Sequence, residues 1–202
     1  MNRIELSNLD LKVFTEQDAL DYCQINNLNP DDITEIYLSH NELTDISGIK
    51  LFKNLEELIL PYNKITDISV IKDLNNLKTL DIESNEINDI SVLKKMKYLQ
   101  LLILGYNNIK KLSNIKHLKN LVYLNLGNNK LTDIFELKYL NKLQILKLNH
   151  NNLIKNISVI KDLTDLKTLD IRSLELESDQ IQYIKSLKNL ENLWCGSGFK
   201  DM

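Results

Sequence analysis

Alanine is all but missing from this sequence: Ala19 is the only one, and Arg3 and Arg172 are the only arginines. Asn, Ile, Lys and Leu fill their places, a bias that reads as the codon usage of an AT-rich genome and carries no mechanism. Five glycines leave no Gly-rich phosphate loop. No stretch approaches the roughly 18 apolar residues of a transmembrane helix, and the N-terminus has no apolar run of signal-peptide length. The chain is therefore expected in the cytoplasm, with no membrane partner. Charge of either sign is not in excess: 25 bases face 28 acids, a net charge of −3. A phosphate-binding surface needs clustered Lys and Arg, so no nucleic acid partner is expected. Cys23 and Cys195 stand near opposite ends, too far apart in an elongated fold for a disulfide, and are expected as thiols in a reducing compartment.

What the sequence does have is a repeat. Asn41, Asn63, Asn85, Asn107, Asn129 and Asn151 follow one another at intervals of 22 residues. Five residues before each stands Ile36, Leu58, Leu80, Leu102, Leu124 or Leu146, and three before stands Leu38, Leu60, Ile82, Leu104, Leu126 or Leu148. Eight before stands Ile33, Leu55, Leu77, Leu99, Leu121 or Leu143; two after stands Leu43, Ile65, Ile87, Ile109, Leu131 or Leu153. The phase then drifts. Asn156 reads as one added residue, Leu174 takes the asparagine slot of the seventh turn, and Gly198 that of the eighth.

This L-x-x-L-x-L-x-x-N-x-L pattern resembles the leucine-rich-repeat family, in the 22-residue class of bacterial internalins and of the repeat subunit that regulates protein phosphatase 1. The phrase Leu-Thr-Asp-Ile-Ser at residues 43–47 recurs with small changes at 65–69 and 87–91. The resemblance covers about residues 31 to 199 and implies an α/β fold: a right-handed solenoid of about eight turns with a parallel concave sheet. The periodicity supports the same picture on its own. Apolar residues at minus five and minus three alternate with polar ones, as in a strand with one buried face, and a single turn cannot bury that face without neighbours. Three-residue spacing on the return path, as in Ile46, Ile49 and Phe52, suits a short 3₁₀-like convex side.

The asparagine is expected to be structural, its amide pairing backbone groups that the strand ladder cannot reach, with stacked copies forming a polar ladder broken at Leu174. Residues 1–30 fall outside the repeat. Thr15 followed by Glu16, Gln17 and Asp18 predicts a capped helix over about residues 16 to 27, with Ala19, Leu20, Cys23 and Ile25 as its apolar face, ended by Asn29-Pro30. The chain thus divides into an N-terminal helical cap, 1–30, and a solenoid, 31–202, in one continuous domain.

Chemistry is absent from the pattern. His40 and His150 share a slot but lie five turns apart, more than about 20 Å at the spacing of neighbouring strands, and His117 falls on the convex side. No cofactor, metal site or catalytic constellation is expected. The side chains at minus six, minus four and minus two, with the residue before each asparagine, point out of the concave sheet. Two groups there exceed what solubility requires. One is apolar: Tyr37, Ile59, Tyr62, Leu101, Ile103, Tyr106, Tyr123 and Ile145. The other is charged, with Glu35, Glu57, Asp81 and Glu83 in the first turns and Lys147 and Arg172 as the bases. Aromatic and aliphatic groups on one face mark a protein-binding surface, while sheet propensity alone also favours Tyr and Ile. The expectation is a monomeric, non-catalytic adaptor or regulator that binds a protein on this face. The resemblance to internalins implies a second possibility, bacterial surface adhesion; a third is the substrate-recognition part of a larger enzyme.

Overall fold

The alternation of the repeat becomes a row of three-residue strands in residues 2–196, the part of the chain that the computed structural model describes. They are β1 (Arg3–Glu5), β2 (Glu35–Tyr37), β3 (Glu57–Ile59), β4 (Thr79–Asp81), β5 (Leu101–Ile103), β6 (Tyr123–Asn125), β7 (Ile145–Lys147), β8 (Thr168–Asp170) and β9 (Asn192–Trp194). All pair in parallel, each with its neighbour in sequence. The register sets Ile4, Ile36, Leu58, Leu80, Leu102, Leu124, Leu146, Leu169 and Leu193 side by side. All of these except Leu193 are fully buried, so each turn supplies one layer of a continuous apolar column.

The return path is 3₁₀, in Ser47–Leu51, Ser69–Asp73, Ser91–Lys95, Phe135–Tyr139 and Ser158–Asp162. Its start is local chemistry. Asp45, Asp67, Asp89, Asp133 and Asn156 each accept, through Oδ1, the N–H of the residue two further on. That bond explains the Asp-Ile-Ser phrase. The turn that follows β5 has Lys111 in the Asp slot; its 3₁₀ segment shrinks to Ile115–His117 and starts from Asn114 in left-handed conformation, φ 69°.

The asparagines join each turn to the one before it. Asn63 Oδ1 accepts the Leu43 N–H at 3.0 Å, and Nδ2 donates to Leu38 O at 2.9 Å and to Leu60 O at 3.0 Å. Asn85, Asn107, Asn129 and Asn151 repeat the pattern on Ile65, Ile87, Ile109 and Leu131. Asn41 serves the first turn, accepting from both Leu9 and Leu11. At Leu174 no such side chain exists; the Leu174 N–H turns back to Ile171 O instead.

Three details differ from the sequence expectation. Residues 1–30 do not lie wholly outside the repeat: β1 opens the sheet, with Leu9 in the asparagine slot, which is why the pattern hid it. The helix, α1 (Glu16–Ile25), has the Thr15–Asp18 capping box, but only Ala19 and Cys23 are buried, while Leu20 and Ile25 face outward. The added residue lies before Asn156: Leu153 is exposed and Ile154 takes the core position, its N–H bonded to Asn151 O. The expected role of Gly198 lies outside the described residues.

α1 packs on Ser47–Leu51, where Gly48 stands in the slot that Val70 and Val92 occupy in the next turns. A Cβ on Gly48 would meet Thr15 O at 2.4 Å and Phe14 O at 2.9 Å, both backbone atoms. Glycine thus permits the close approach in which the Gly48 N–H donates to Phe14 O at 2.8 Å. Gly48→Ala is expected to lower stability by about 1–3 kcal/mol through overpacking, read as a fall in Tm and as earlier proteolysis of the first 30 residues. Asn107→Leu orphans the buried Ile87 N–H and removes one of two amide donors from Ile82 O and from Leu104 O, which keep Asn85 Nδ2 and Asn129 Nδ2. Its expected loss is about 2 kcal/mol or more, a Tm drop of roughly 4–8 °C. Unchanged melting by calorimetry would contradict the ladder account.

Candidate concave recognition face

Because alternate residues of each strand turn away from the core, the outer face of the sheet consists of columns fixed by register. One column runs Arg3, Glu35, Glu57, Thr79, Leu101, Tyr123, Ile145, and the next Glu5, Tyr37, Ile59, Asp81, Ile103, Asn125, Lys147. Ile59, Leu101, Ile103, Tyr123 and Ile145 are half-buried by these neighbours. Leu101 and Tyr123 stand adjacent, as do Tyr123 and Ile145, so the apolar strip is continuous over β5–β7. Ile59 is separated from it by Asp81.

The residue before each asparagine has a special backbone. His40, Tyr62, Ser84, Tyr106, Asn128, His150 and Ser173 all have φ between 52° and 63°. The conformation follows from the ladder: the Tyr62 N–H must reach Glu83 O and the Tyr106 N–H must reach Gly127 O. Asn is the side chain most at home there, whereas a tyrosine, like the Ser and His of the other turns, carries a Cβ penalty of about 1–2 kcal/mol in this region. Tyr62 and Tyr106 nonetheless occupy it and are 51% and 57% exposed, so neither is there for the core. The Tyr62 ring stacks on His40, centroids 4.3 Å apart.

The charges are arranged differently from the sequence map. Arg3, not counted on the face because residues 1–30 were set apart, lies 3.9 Å over the Tyr37 ring and binds Glu5 at 2.6 Å. The Tyr37 hydroxyl donates to Glu57 at 2.6 Å; burial first, and then that carboxylate, push the phenol above its ordinary pKa. Glu35 lies beside it at 3.4 Å. At the other end, Asp170, in the outward column beside Lys147, is buried on that face, and Arg172 closes over it through Nε at 2.9 Å and Nη2 at 2.7 Å. Arg172 is therefore not an available base. Lys147 lies 5.6 Å from the Tyr123 ring centre.

Asp81 and Glu83 have no cation within ion-pair distance among the described residues. Asp81 Oδ1 accepts the Glu83 N–H at 3.0 Å. Burial raises its pKa from 3.8 to about 6; that hydrogen bond opposes the shift and the Glu83 charge adds to it. The folded chain thus holds the proton up to about pH 6 where the unfolded chain releases it near 3.8. Ionisation lowers stability as pH rises through that interval. Asp81→Asn, which retains the acceptor, is expected to raise Tm by roughly 2–4 °C at pH 7.5, a gain that vanishes by pH 4. A gain independent of pH in calorimetric scans would contradict the burial account.

Among the described residues no group of His, Cys, Asp and Glu is placed to hold a metal ion, and no helix is long and apolar enough to cross a membrane. His40 and His150 stand five turns apart in the same column, and Cys23 and Cys195 in the first and last turns.

Residues 53–95 and 99–139 match the Leucine Rich repeats (2 copies) family. Internalin C2 from Listeria monocytogenes str. 4b F2365 superposes with a TM-score of 0.85 at 26% identity, over 96% of this chain and 80% of its own. Internalin F of the same strain is 20% identical over 98% and 81%, with a TM-score of 0.45 that carries no argument. The PEPR1–AtPEP1 structure shares the fold, with a TM-score of 0.70 at 22% identity over 81% of this chain and 24% of that one. No curated protein sequence matches significantly. The repeat, the nine-stranded sheet, the family match and the internalin C2 likeness together mark the fold as a leucine-rich-repeat solenoid similar to that of the bacterial internalins.

Proposed function

We propose that the chain is a non-catalytic recognition module that binds a protein partner on its concave face, working as a monomeric adaptor or regulator in the cytoplasm. The observation that carries this is the pair Tyr62 and Tyr106: two large exposed aromatics held where the backbone disfavours them, on the face that the repeat leaves open. Residues that lower stability without serving the core are characteristic of functional surfaces. Beside them lies the strip of Leu101, Ile103, Tyr123 and Ile145, of the composition that protein interfaces favour. A shallow open sheet offers no water-excluded pocket for acid–base chemistry, which supports a binding role over a catalytic one. The structural likeness to PEPR1, solved as PEPR1–AtPEP1, agrees with a macromolecular ligand. The likeness to internalin C2 favours one second reading, a bacterial surface-adhesion module using the same face.

The test is an affinity pull-down from cells of the source organism, comparing wild type with a Tyr62→Ala, Ile103→Ala, Tyr106→Ala triple variant of equal thermal stability. The expected outcome is partners recovered by the wild type and lost, by tenfold or more, from the variant. Identical recovery by both proteins overturns the assignment to this face. Partners found only on the surface of other cells favour adhesion over the adaptor role.

A further inference from the structure

Most acids on the concave face receive a partner from the fold itself. Arg3 binds Glu5, the Tyr37 hydroxyl binds Glu57, and Arg172 closes over Asp170. Asp81 is the exception that matters, because it stands between Ile59 and the apolar strip that begins at β5. Its neighbours in the column are Ile59 on β3 and Ile103 on β5, each about 4.8 Å away across the sheet. A carboxylate already stripped of much of its water attracts a cation more strongly than an exposed one, and that part of its desolvation is made before any partner arrives.

Next to this strip the floor of the face is flat. Gly105 and Gly127 follow Glu83 in the minus-two column, and side-chain amides lie over them. Asn125 Oδ1 accepts the Gly127 N–H at 3.0 Å, while its Nδ2 lies 3.1 Å from where a Gly105 Cβ would be. The Asn149 amide covers Gly127 in the same way. Asn125 Nδ2 and the whole Asn149 amide make no hydrogen bond with the described residues. Free amide donors and an acceptor over a glycine floor are what an extended main chain, with its alternating C=O and N–H groups, can pair with.

We propose that the partner presents an extended segment in which a lysine or arginine is flanked on both sides by apolar residues. The cation pairs with Asp81, the apolar neighbours lie on Ile59 and on Leu101 with Ile103, and Asn125 and Asn149 take the main chain. This rests on the concave-face function proposed above and deepens it.

One consequence is that recognition depends on pH. Burial sets the Asp81 carboxyl to ionise at about pH 6, so below that value the cation loses its counterpart. The other titratable groups facing Asp81 are Glu83 on its own turn, Glu57 and Tyr62 on the preceding turn and Tyr106 on the following one. Lys147 is three strands away. The Asp81→Asn variant retains all of these and is the reference that isolates Asp81.

The experiment is panning of a displayed random-dodecapeptide library on the immobilised chain at pH 7.5, followed by affinity measurements with a synthetic copy of the strongest binder. Retained peptides are expected to carry Lys or Arg between apolar residues. The synthetic peptide is expected to bind wild type about tenfold more weakly at pH 5 than at pH 7.5, as the ionised fraction of Asp81 falls. Asp81→Asn should bind weakly at both pH values, and replacing the peptide's cation by norleucine should abolish the difference between the two proteins. Retained peptides that lack a cation, or that bind Asp81→Asn as tightly as wild type, overturn the proposal. If those same peptides are lost from the Tyr62, Ile103, Tyr106 triple variant, the concave-face function stands and only the Asp81 assignment falls. Peptides indifferent to both variants, or a library from which nothing is retained, overturn both.

Discussion

Every turn of this chain has to reverse direction inside a closely packed interior, and the reversal exposes backbone groups that no strand can pair. The buried asparagine is the answer to that constraint. One side chain supplies an acceptor to the preceding turn and donors to two carbonyls, so each turn is completed by its successor rather than by itself. Buried amide groups left without partners would each cost about 1–3 kcal/mol, more than a turn of this size can spare. The ladder therefore fixes the spacing of the turns, and the apolar columns fill the space it defines.

The same constraint shapes the concave face. A left-handed residue precedes each ladder asparagine, and Leu174 as well, where the chain leaves the strand, and it projects onto the concave side. Where it is Asn, the conformation costs least. Where it is Tyr62 or Tyr106, backbone geometry becomes a means of presenting an aromatic ring, and the His40 ring stacked on Tyr62 extends the platform. The proposed recognition surface and the structural scaffold are thus adjacent residues in one motif, which lets the face vary from turn to turn without altering the fold.

Strand positions, core columns and the asparagine series were legible in the sequence because each is a periodic demand on residue type: Leu or Ile at minus five and Asn at the turn have no substitutes of equal fit. The first strand was not, since Leu9 replaces the asparagine and Ile4 and Leu6 alone are too short a pattern to count. Ile154 taking the core slot from Leu153 was hidden for a related reason: two neighbouring apolar residues are indistinguishable until the chain path is known. On the face, the register read from the sequence turns Tyr62, Leu101, Ile103 and Tyr106 out of the sheet, as the strand pairing has it, with the Ser84 turn standing between Tyr62 and the other three. It could not reveal which charges are already neutralised, because the Arg172–Asp170 pair and the Arg3–Tyr37–Glu57 cluster depend on side-chain reach rather than on period. The isolation of Asp81 is visible only after those pairs are removed.

The missing asparagine at Leu174 has a meaning for dynamics. In an array where each unit is coupled only to its neighbours, cooperativity extends as far as the couplings are equal and divides where one is weak. Leu174 N–H bonds within its own turn, so the side-chain amide link present at each of the preceding joints is absent there. What lies beyond it, from the short helix Ile181–Lys185 to β9, is tied on by the sheet, by apolar contacts and by Gln180 Oε1 accepting the Ile157 N–H. The joint at Leu174 is in this sense the place where the array is expected to divide, so that amide hydrogens beyond it exchange through local openings that leave the asparagine-linked turns intact.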